Sequence, residues 1–145
     1  MTVRDLLKSK GSDFEWAGPE TKIKEAMRKI DEKKIGSLLV MEDDELIGII
    51  SERDMFRTLL AKGTAGFDIT VGEVMTTNIV IGILDDNVDD VGSLMTNNRF
   101  RHLPIMDGKK VVGIISIGDV VKNQAHNLSI ENRYLKDYIS GKYPA

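Results

Sequence analysis

The 145-residue sequence predicts a mixed α/β fold, built from two β-α-β-β-α repeats that are related by a pseudo-two-fold axis and packed sheet to sheet. Two observations predict it. The segment GIISERD at 48–54 returns as GIISIGD at 113–119, 65 positions later. A gapless alignment of 35–54 with 100–119 gives seven identities in twenty positions, and several further pairs are apolar in both copies. Because such a unit leaves one sheet face to cover, two copies can cover each other.

Each copy opens with a short helix and a strand. The stretches TVRD at 2–5 and TVGE at 70–73 place an acid three residues after a threonine, which is typical of a capped helix start. Strands are predicted near Phe14–Ala17 and Ile79–Ile83. Helices follow over about 20–34 and 86–98, because apolar residues recur there at i, i+3 and i+7.

A hairpin and a closing helix complete each copy. The hairpin strands are predicted at Ser37–Met41 with Leu46–Ser51, and at His102–Met106 with Val111–Ser116. The turns read EDDE and DGKK, and Asp-Gly is favoured in tight turns. The closing helices begin at Glu52 and Ile117.

The chain is therefore divided into repeat 1 (1–62), a linker (63–69), repeat 2 (70–122) and a C-terminal helical tail (123–145). The two repeats form one inseparable domain. The tail is predicted to be helical over 123–140, with an apolar side, and to stop at Gly141.

Composition excludes several classes of function. The chain has no cysteine, which rules out disulfides, thiolate metal sites and a cysteine nucleophile. Its net charge is −3 without a long basic cluster, so nucleic-acid binding is not expected. The sequence contains no run of about 18 apolar residues, so no membrane span is predicted. The N-terminus lacks the apolar core of a signal peptide, and we expect a cytoplasmic protein.

The repeated Ser-x-x-Asp has two interpretations. It is a capping box, in which serine and aspartate satisfy backbone N–H groups at a helix start. The same position is suited to a nucleotide, because a helix N-terminus attracts phosphate and a carboxylate can accept both hydroxyls of a ribose. Arg53 adds a guanidinium that matches phosphate oxygens in the first copy.

The two halves resemble a tandem pair of cystathionine-β-synthase (CBS) domains. The resemblance rests on IGSLLVMEDDELIGIISERDMFR and FRHLPIMDGKKVVGIISIGDVVK, covers roughly residues 1–122 and is closest to small stand-alone CBS-pair proteins. It implies a regulatory, non-enzymatic module that binds an adenosine ligand, namely AMP, ADP, ATP, NAD or S-adenosylmethionine, in clefts between the repeats. No catalytic cofactor is implied.

The resemblance also implies roles for individual residues. Asp54 and Asp119 would hold ribose, and Ser51 and Ser116 would assist with ribose or phosphate. Residues before Leu-Pro-Ile often meet base or phosphate, and opening strands supply backbone contacts to adenine. These implied contacts are Arg101 and His102, their first-copy counterparts Gly36 and Ser37, and the segments Asn78–Val80 and Asp13–Glu15.

Each cleft is expected to draw on both repeats. One would join Ser51, Arg53 and Asp54 to Ile79, Phe100 and Arg101; the other would join Ser116, Asp119 and Arg101 to Phe14, Ile35 and Gly36. The copies differ, since Ile117-Gly118 replaces Glu52-Arg53 and Gly36 stands opposite Arg101. The two sites should therefore bind unequally, and we prefer the Asp54 cleft.

Other patterns have simpler interpretations. DDNVDD at 85–90 is interpreted as helix capping and not as a metal site. Ser116, His102 and Asp119 do not indicate a hydrolase, because the first copy has Ser37 in place of the histidine. Trp16 is expected in the core, with stacking on adenine as the alternative.

Homodimerisation is also implied by the resemblance, with Met55/Leu59 and Val120/Val121 as candidate apolar faces. A structural homodimeric interaction module with vestigial, non-binding clefts is the alternative function. The sequence does not identify a regulated partner protein.

Overall fold

The computed structural model describes residues 1–125. The helices are α1 (Val3–Lys10), α2 (Ile23–Lys33), α3 (Glu52–Lys62), α4 (Val71–Val74), α5 (Val88–Asn98) and α6, which covers 117–125 of the described chain. The strands are β1 (Trp16–Ala17), β2 (Ser37–Glu42), β3 (Glu45–Ser51), β4 (Gly82–Ile83), β5 (His102–Asp107) and β6 (Lys110–Ser116). The predicted linker forms a 3-10 helix at Gly63–Asp68. Most of the predicted tail, including Gly141, lies outside the described residues.

Two three-stranded sheets confirm the predicted α/β class. Their orders are β1-β2-β3 and β4-β5-β6, with the first pair parallel and the hairpin antiparallel in each. Even the register is repeated, because Ser37 pairs with Ser51 as His102 pairs with Ser116. The opening strands β1 and β4 are two residues long, shorter than predicted.

The hairpin turns use left-handed backbone, as predicted for tight connections. Asp43 and Asp44 have φ of 50° and 63°, and Gly108 has φ of 62°. Positive φ at the loop residues matches the twist of a two-residue hairpin, and Asp and Gly tolerate it best.

The opening helices are exchanged between the repeats. The backbone N–H groups of Val3 and Arg4 donate to the carbonyls of Asp86 and Leu84, in repeat 2. The N–H groups of Val71 and Gly72 donate to the carbonyls of Thr21 and Pro19, in repeat 1. These bonds occupy equivalent positions, so each sequence copy lends its first helix to the other copy.

The two hydrophobic cores are built around this exchange. Val3, Leu6 and Leu7 of α1 are buried with Met95 and Ile115 in the repeat 2 core. Val71 of α4 is likewise buried in the repeat 1 core. The motif glycines permit it: a Cβ on Gly113 would lie 2.9 Å from Leu7 Cδ2, and one on Gly48 would overlap Met75 of the segment after α4.

The opposite face of each hairpin is also covered. Leu38 and Val40 lie in the helix-side core, whereas Leu39, pointing the other way, is fully buried outside both clusters. Pro104 is its equivalent in repeat 2 and is buried as well. The sheet faces that are turned away from the helices therefore bound the space between the repeats.

The predicted positions of three residues, Trp16, Met55 and Val120, were wrong. The side chain of Trp16 is half exposed on the two-residue edge strand β1 and does not line the cleft described below. Met55 and Val120 are buried in their own repeats, so they are not partner faces.

Within residues 1–125, no helix combines the length and apolarity needed to cross a membrane.

We predict that Gly48→Ala lowers the free energy of unfolding by about 1–3 kcal/mol, since added atoms in a packed core force neighbours to shift. Urea denaturation measures the change. Gly118→Ala is the matched control, because its methyl would meet only Ser116 Oγ at 3.5 Å and alanine favours a helix. An equally stable Gly48→Ala variant would contradict the close packing of Met75.

Candidate functional site: a cleft between two capped helix starts

One continuous cleft of about 1220 Å³ lies between the repeats, where β3 and β6 feed α3 and α6. All the site residues predicted from the sequence line it. They are Phe14, Ile35, Gly36, Ser37, Ser51, Arg53, Asp54, Asn78, Ile79, Phe100, Arg101, His102, Ser116 and Asp119. Their contact with a ligand stays a prediction.

Both helix starts carry the predicted capping box. At α3, the N–H and hydroxyl of Ser51 donate to Asp54 Oδ2 at 2.9 and 3.1 Å, and the N–H of Asp54 donates to Ser51 Oγ at 3.4 Å. At α6, the N–H of Ser116 donates to Asp119 Oδ2 at 2.8 Å, and the N–H of Asp119 donates to Ser116 Oγ at 3.2 Å. A carboxylate offers about four acceptor positions, so capping leaves each aspartate able to bind a further donor.

The segments after the exchanged helices form the remaining walls. Ile49 and Thr76 exchange backbone hydrogen bonds at 3.0 and 2.9 Å, which brings the segment containing Asn78 and Ile79 beside β3 and its Ser51 end. The segment after α1 contains Phe14. It begins on the β6 side, because Lys10 at the end of α1 donates to the carbonyl of Ile114 in β6. The grouping of Ile79 with Asp54 and of Phe14 with Asp119 around a ligand stays a prediction.

Lys10 is a cleft residue that the sequence reasoning missed. Its Nζ donates to Asp119 Oδ2 at 2.6 Å and to the carbonyl of Ile114 at 2.8 Å. Burial opposes ionisation of Asp119, but the bonds from Lys10 and Ser116 outweigh it and hold the pKa of that carboxyl below its ordinary value. Aligning the two copies by 65 residues did not point to Lys10 as a cleft residue. Lys10 ends a helix that is shorter in the other copy.

His102 lies across the cleft against repeat 1. A Cβ placed on Gly36 would be 3.0 Å from His102 Nε2, so the glycine makes room for the ring. Burial lowers the pKa of His102, and the positive charge of Arg101 adds to the effect. The imidazole is therefore favoured in its neutral form, which offers one donor and one acceptor.

Two further basic residues line the cleft at equivalent positions. Lys34 ends α2 and Arg99 ends α5, with left-handed φ of 54° and 59°. Neither was predicted. Together with Lys10, Arg53 and Arg101, they place cationic groups in the cleft that contains Asp54 and Asp119.

The CBS domain family model matches residues 3–61 and 71–126, which together span most of the chain. The chain belongs to the CBS-domain family. The mitochondrial CBS domain-containing protein CBSX3 of Arabidopsis thaliana is 32% identical over 151 residues, covering 98% of this chain and 73% of that protein. A crystal structure of a CBS-domain containing protein from Agrobacterium tumefaciens is 38% identical with a TM-score of 0.83, covering 86% of this chain and 99% of that one.

Two similar CBS structures contain adenosine compounds. The CBS domain pair of protein MJ0100, solved with 5′-methylthioadenosine and S-adenosyl-L-methionine, is 26% identical with a TM-score of 0.77, covering 88% of this chain and 98% of that one. CBSX2, solved with AMP, is 27% identical with a TM-score of 0.69, covering 86% and 96%.

The acidic run DDNVDD and the set Ser116, His102 and Asp119 make the following contacts in this CBS pair. Within residues 1–125, no three His, Asp or Glu side chains gather as a metal site. In DDNVDD, Asn87 caps α5 by accepting from the N–H of Asp89 at 2.8 Å. Over the same range, His102 makes no hydrogen bond to Ser116, whose hydroxyl oxygen accepts the cap bond instead.

We predict that Asp119→Asn lowers the free energy of unfolding by about 1 kcal/mol near pH 7, because asparagine keeps the cap but loses the ion pair with Lys10. Because the pKa of Asp119 is lowered in the folded protein, its ionised form stabilises the fold above the ordinary aspartate pKa of about 3.9. That stabilisation is lost as the pH falls through the folded pKa. The difference between wild type and variant should therefore shrink towards pH 3.

Urea denaturation at pH 7 and pH 3 checks this dependence. Asp44→Asn removes the same charge from an exposed hairpin turn and controls for net charge. A penalty for Asp119→Asn that grows on acidification would contradict the pairing with Lys10.

Proposed function

We propose that this CBS pair is a non-catalytic regulatory module, which binds an adenosine-containing ligand such as AMP, ADP, ATP or NAD in the cleft and thereby shifts its conformation. The observation that carries the proposal is the pair of capped aspartates, Asp54 and Asp119, at two helix starts that open into one cleft. The similar structures with AMP and with S-adenosyl-L-methionine support the ligand class.

The chemistry around each aspartate suits the parts of a nucleotide. A carboxylate accepts from the adjacent ribose hydroxyls, and the free N–H groups of a helix start attract phosphate. Arg53, Arg99 and Arg101 add guanidinium groups, which match phosphate oxygens. Phe14 and Ile79, on opposite sides, offer apolar surface for a base. The volume exceeds the roughly 300–1,000 Å³ of one small-molecule pocket, in keeping with two joined sites.

A regulatory effect requires that ligand binding favours one arrangement of the repeats. The cleft supplies the means, because its walls come from both repeats and from the segments that follow the exchanged helices. A ligand that contacts Asp54 and Ile79 would hold elements of both sequence copies together.

We predict that wild-type protein binds at least one of AMP, ATP, NAD and S-adenosylmethionine with micromolar affinity, measured by titration calorimetry. Asp54→Ala should weaken that binding at least tenfold (about 1.4 kcal/mol), because the ribose hydroxyls lose their acceptor.

Asp5→Ala is the matched control. Asp5 completes a similar box with Thr2, accepting from its N–H at 3.1 Å, but does not line the cleft. It should lose cap stability and keep ligand affinity. Absence of binding by all four compounds, in protein shown to be free of copurified ligand, would sink the proposed function, and equal behaviour of the two variants would reduce Asp54 to a cap.

A second proposed role is homodimerisation through the outer face of α3. Phe56 and Leu60 lie one helical turn apart and are 67% and 77% exposed, and Val121, equivalent to Phe56 in repeat 2, is 52% exposed. Large apolar side chains at i and i+4 form a stripe that a second copy can cover. Of the predicted faces, Met55/Leu59 and Val120/Val121, this one keeps Val121, whereas Met55 and Val120 are buried.

We predict that wild type sediments as a dimer at micromolar concentration and that Phe56→Lys shifts it to the monomer, because a charge would be buried at the interface. Arg57→Ala, on the neighbouring exposed position, controls for a surface change. A wild-type monomer at high concentration would contradict the dimer and leave the ligand proposal standing.

A further inference from the structure

Lys10 makes the surroundings of Asp119 differ from those of Asp54 more than the sequence differences between the two motifs do. Its ammonium lies on Asp119 Oδ2, the same oxygen that accepts from the N–H of Ser116. The Lys10 and Asp119 side chains are only 29% and 18% exposed, and a second bond to the carbonyl of Ile114 fixes the ammonium to β6. One carboxylate oxygen of the second site is thus occupied by the chain itself.

Asp54 Oδ2 also accepts two bonds, but neither donor is charged. Within residues 1–125 its side chain forms no salt bridge, and its hydrogen-bond donors are the N–H and hydroxyl of Ser51. The exchanged helices also differ in length: α1 has eight residues and ends at Lys10, whereas α4 has four and ends at Val74. The segment after α4 lines the cleft with Thr76 and Asn78, which are uncharged.

An ammonium and a ribose diol compete for the same acceptor. Both donate hydrogen bonds, and a lysine ammonium has no acceptor to offer in return. A diol that takes both oxygens of Asp119 must move Lys10 off Oδ2 and break an ion pair that is partly shielded from water. A ligand phosphate can pair with the displaced ammonium, so an uncharged nucleoside bears the largest penalty.

We infer that Lys10 is an internal competitor for Asp119, which lowers the affinity of this cleft for ribose-bearing ligands and leaves Asp54 as the site that fills first. The inference rests on the proposed function and names Lys10 as the residue that makes the two sites unequal.

The test uses the full chain with adenosine and calorimetry. Asp54→Ala removes the first site, so that the remaining heat reports the Asp119 cleft; Asp54→Ala with Asp119→Ala should show none. Adding Lys10→Met to Asp54→Ala is expected to tighten adenosine binding about tenfold, and to tighten AMP binding less because its phosphate loses a cation. Lys8→Met, on the same helix but outside the cleft, should change neither affinity.

The outcomes separate the two proposals. Unchanged or weaker adenosine binding on adding Lys10→Met, with Asp54-dependent binding intact in wild type, would overturn the role of Lys10 alone. If Lys10→Met does not fold, Lys10→Gln removes the charge with a polar side chain and should also tighten binding. Failure of every variant and of wild type to bind any adenosine compound would overturn the proposed function and this inference together.

Discussion

The exchange of first helices between the repeats is the constraint on which the structure depends. Each core is complete only when a helix from the other copy supplies its buried side chains, Val3 and Leu7 in one direction and Val71 in the other. Each copy therefore depends on the other for part of its core, and Ile49 of β3 also exchanges backbone hydrogen bonds with Thr76 of the second copy. The glycine of each GIIS motif is part of this constraint, because Leu7 and Met75 fill the space where its side chain would be.

The cleft follows from the same exchange. A segment that leaves an exchanged helix must return to its own repeat, and it does so along the end of the hairpin of the other copy. It passes the point where β3 or β6 becomes a helix, and there the capped aspartate lies. The segment that ends α1 places Lys10 at one aspartate, whereas the segment after α4 lines the cleft with the uncharged Thr76 and Asn78. The pseudo-symmetric sites at Asp54 and Asp119 therefore share the same backbone arrangement but differ in charge.

Local sequence patterns predicted much of this. The caps at Ser51 and Ser116 depend on residues three apart, and the hairpins on alternation and turn residues, so both could be read from the chain. The lining of the cleft could be predicted because the resemblance assigned positions to motif residues. Periodicity showed that α3 and α6 have an apolar side but not which apolar residues face inward, so Met55 and Val120 were placed on the surface when they are buried.

Contacts between distant segments could not be predicted in this way. The packing partner of α1 lies more than eighty residues away, and nothing local distinguishes packing on its own repeat from packing on the other. Lys10 reaches Asp119 only through that exchange. A crystal structure of the protein with AMP tests the account most directly: the ribose hydroxyls should lie on Asp54 while Lys10 stays on Asp119. AMP bound at Asp119 with the Asp54 side empty, or bound outside the cleft, would contradict it.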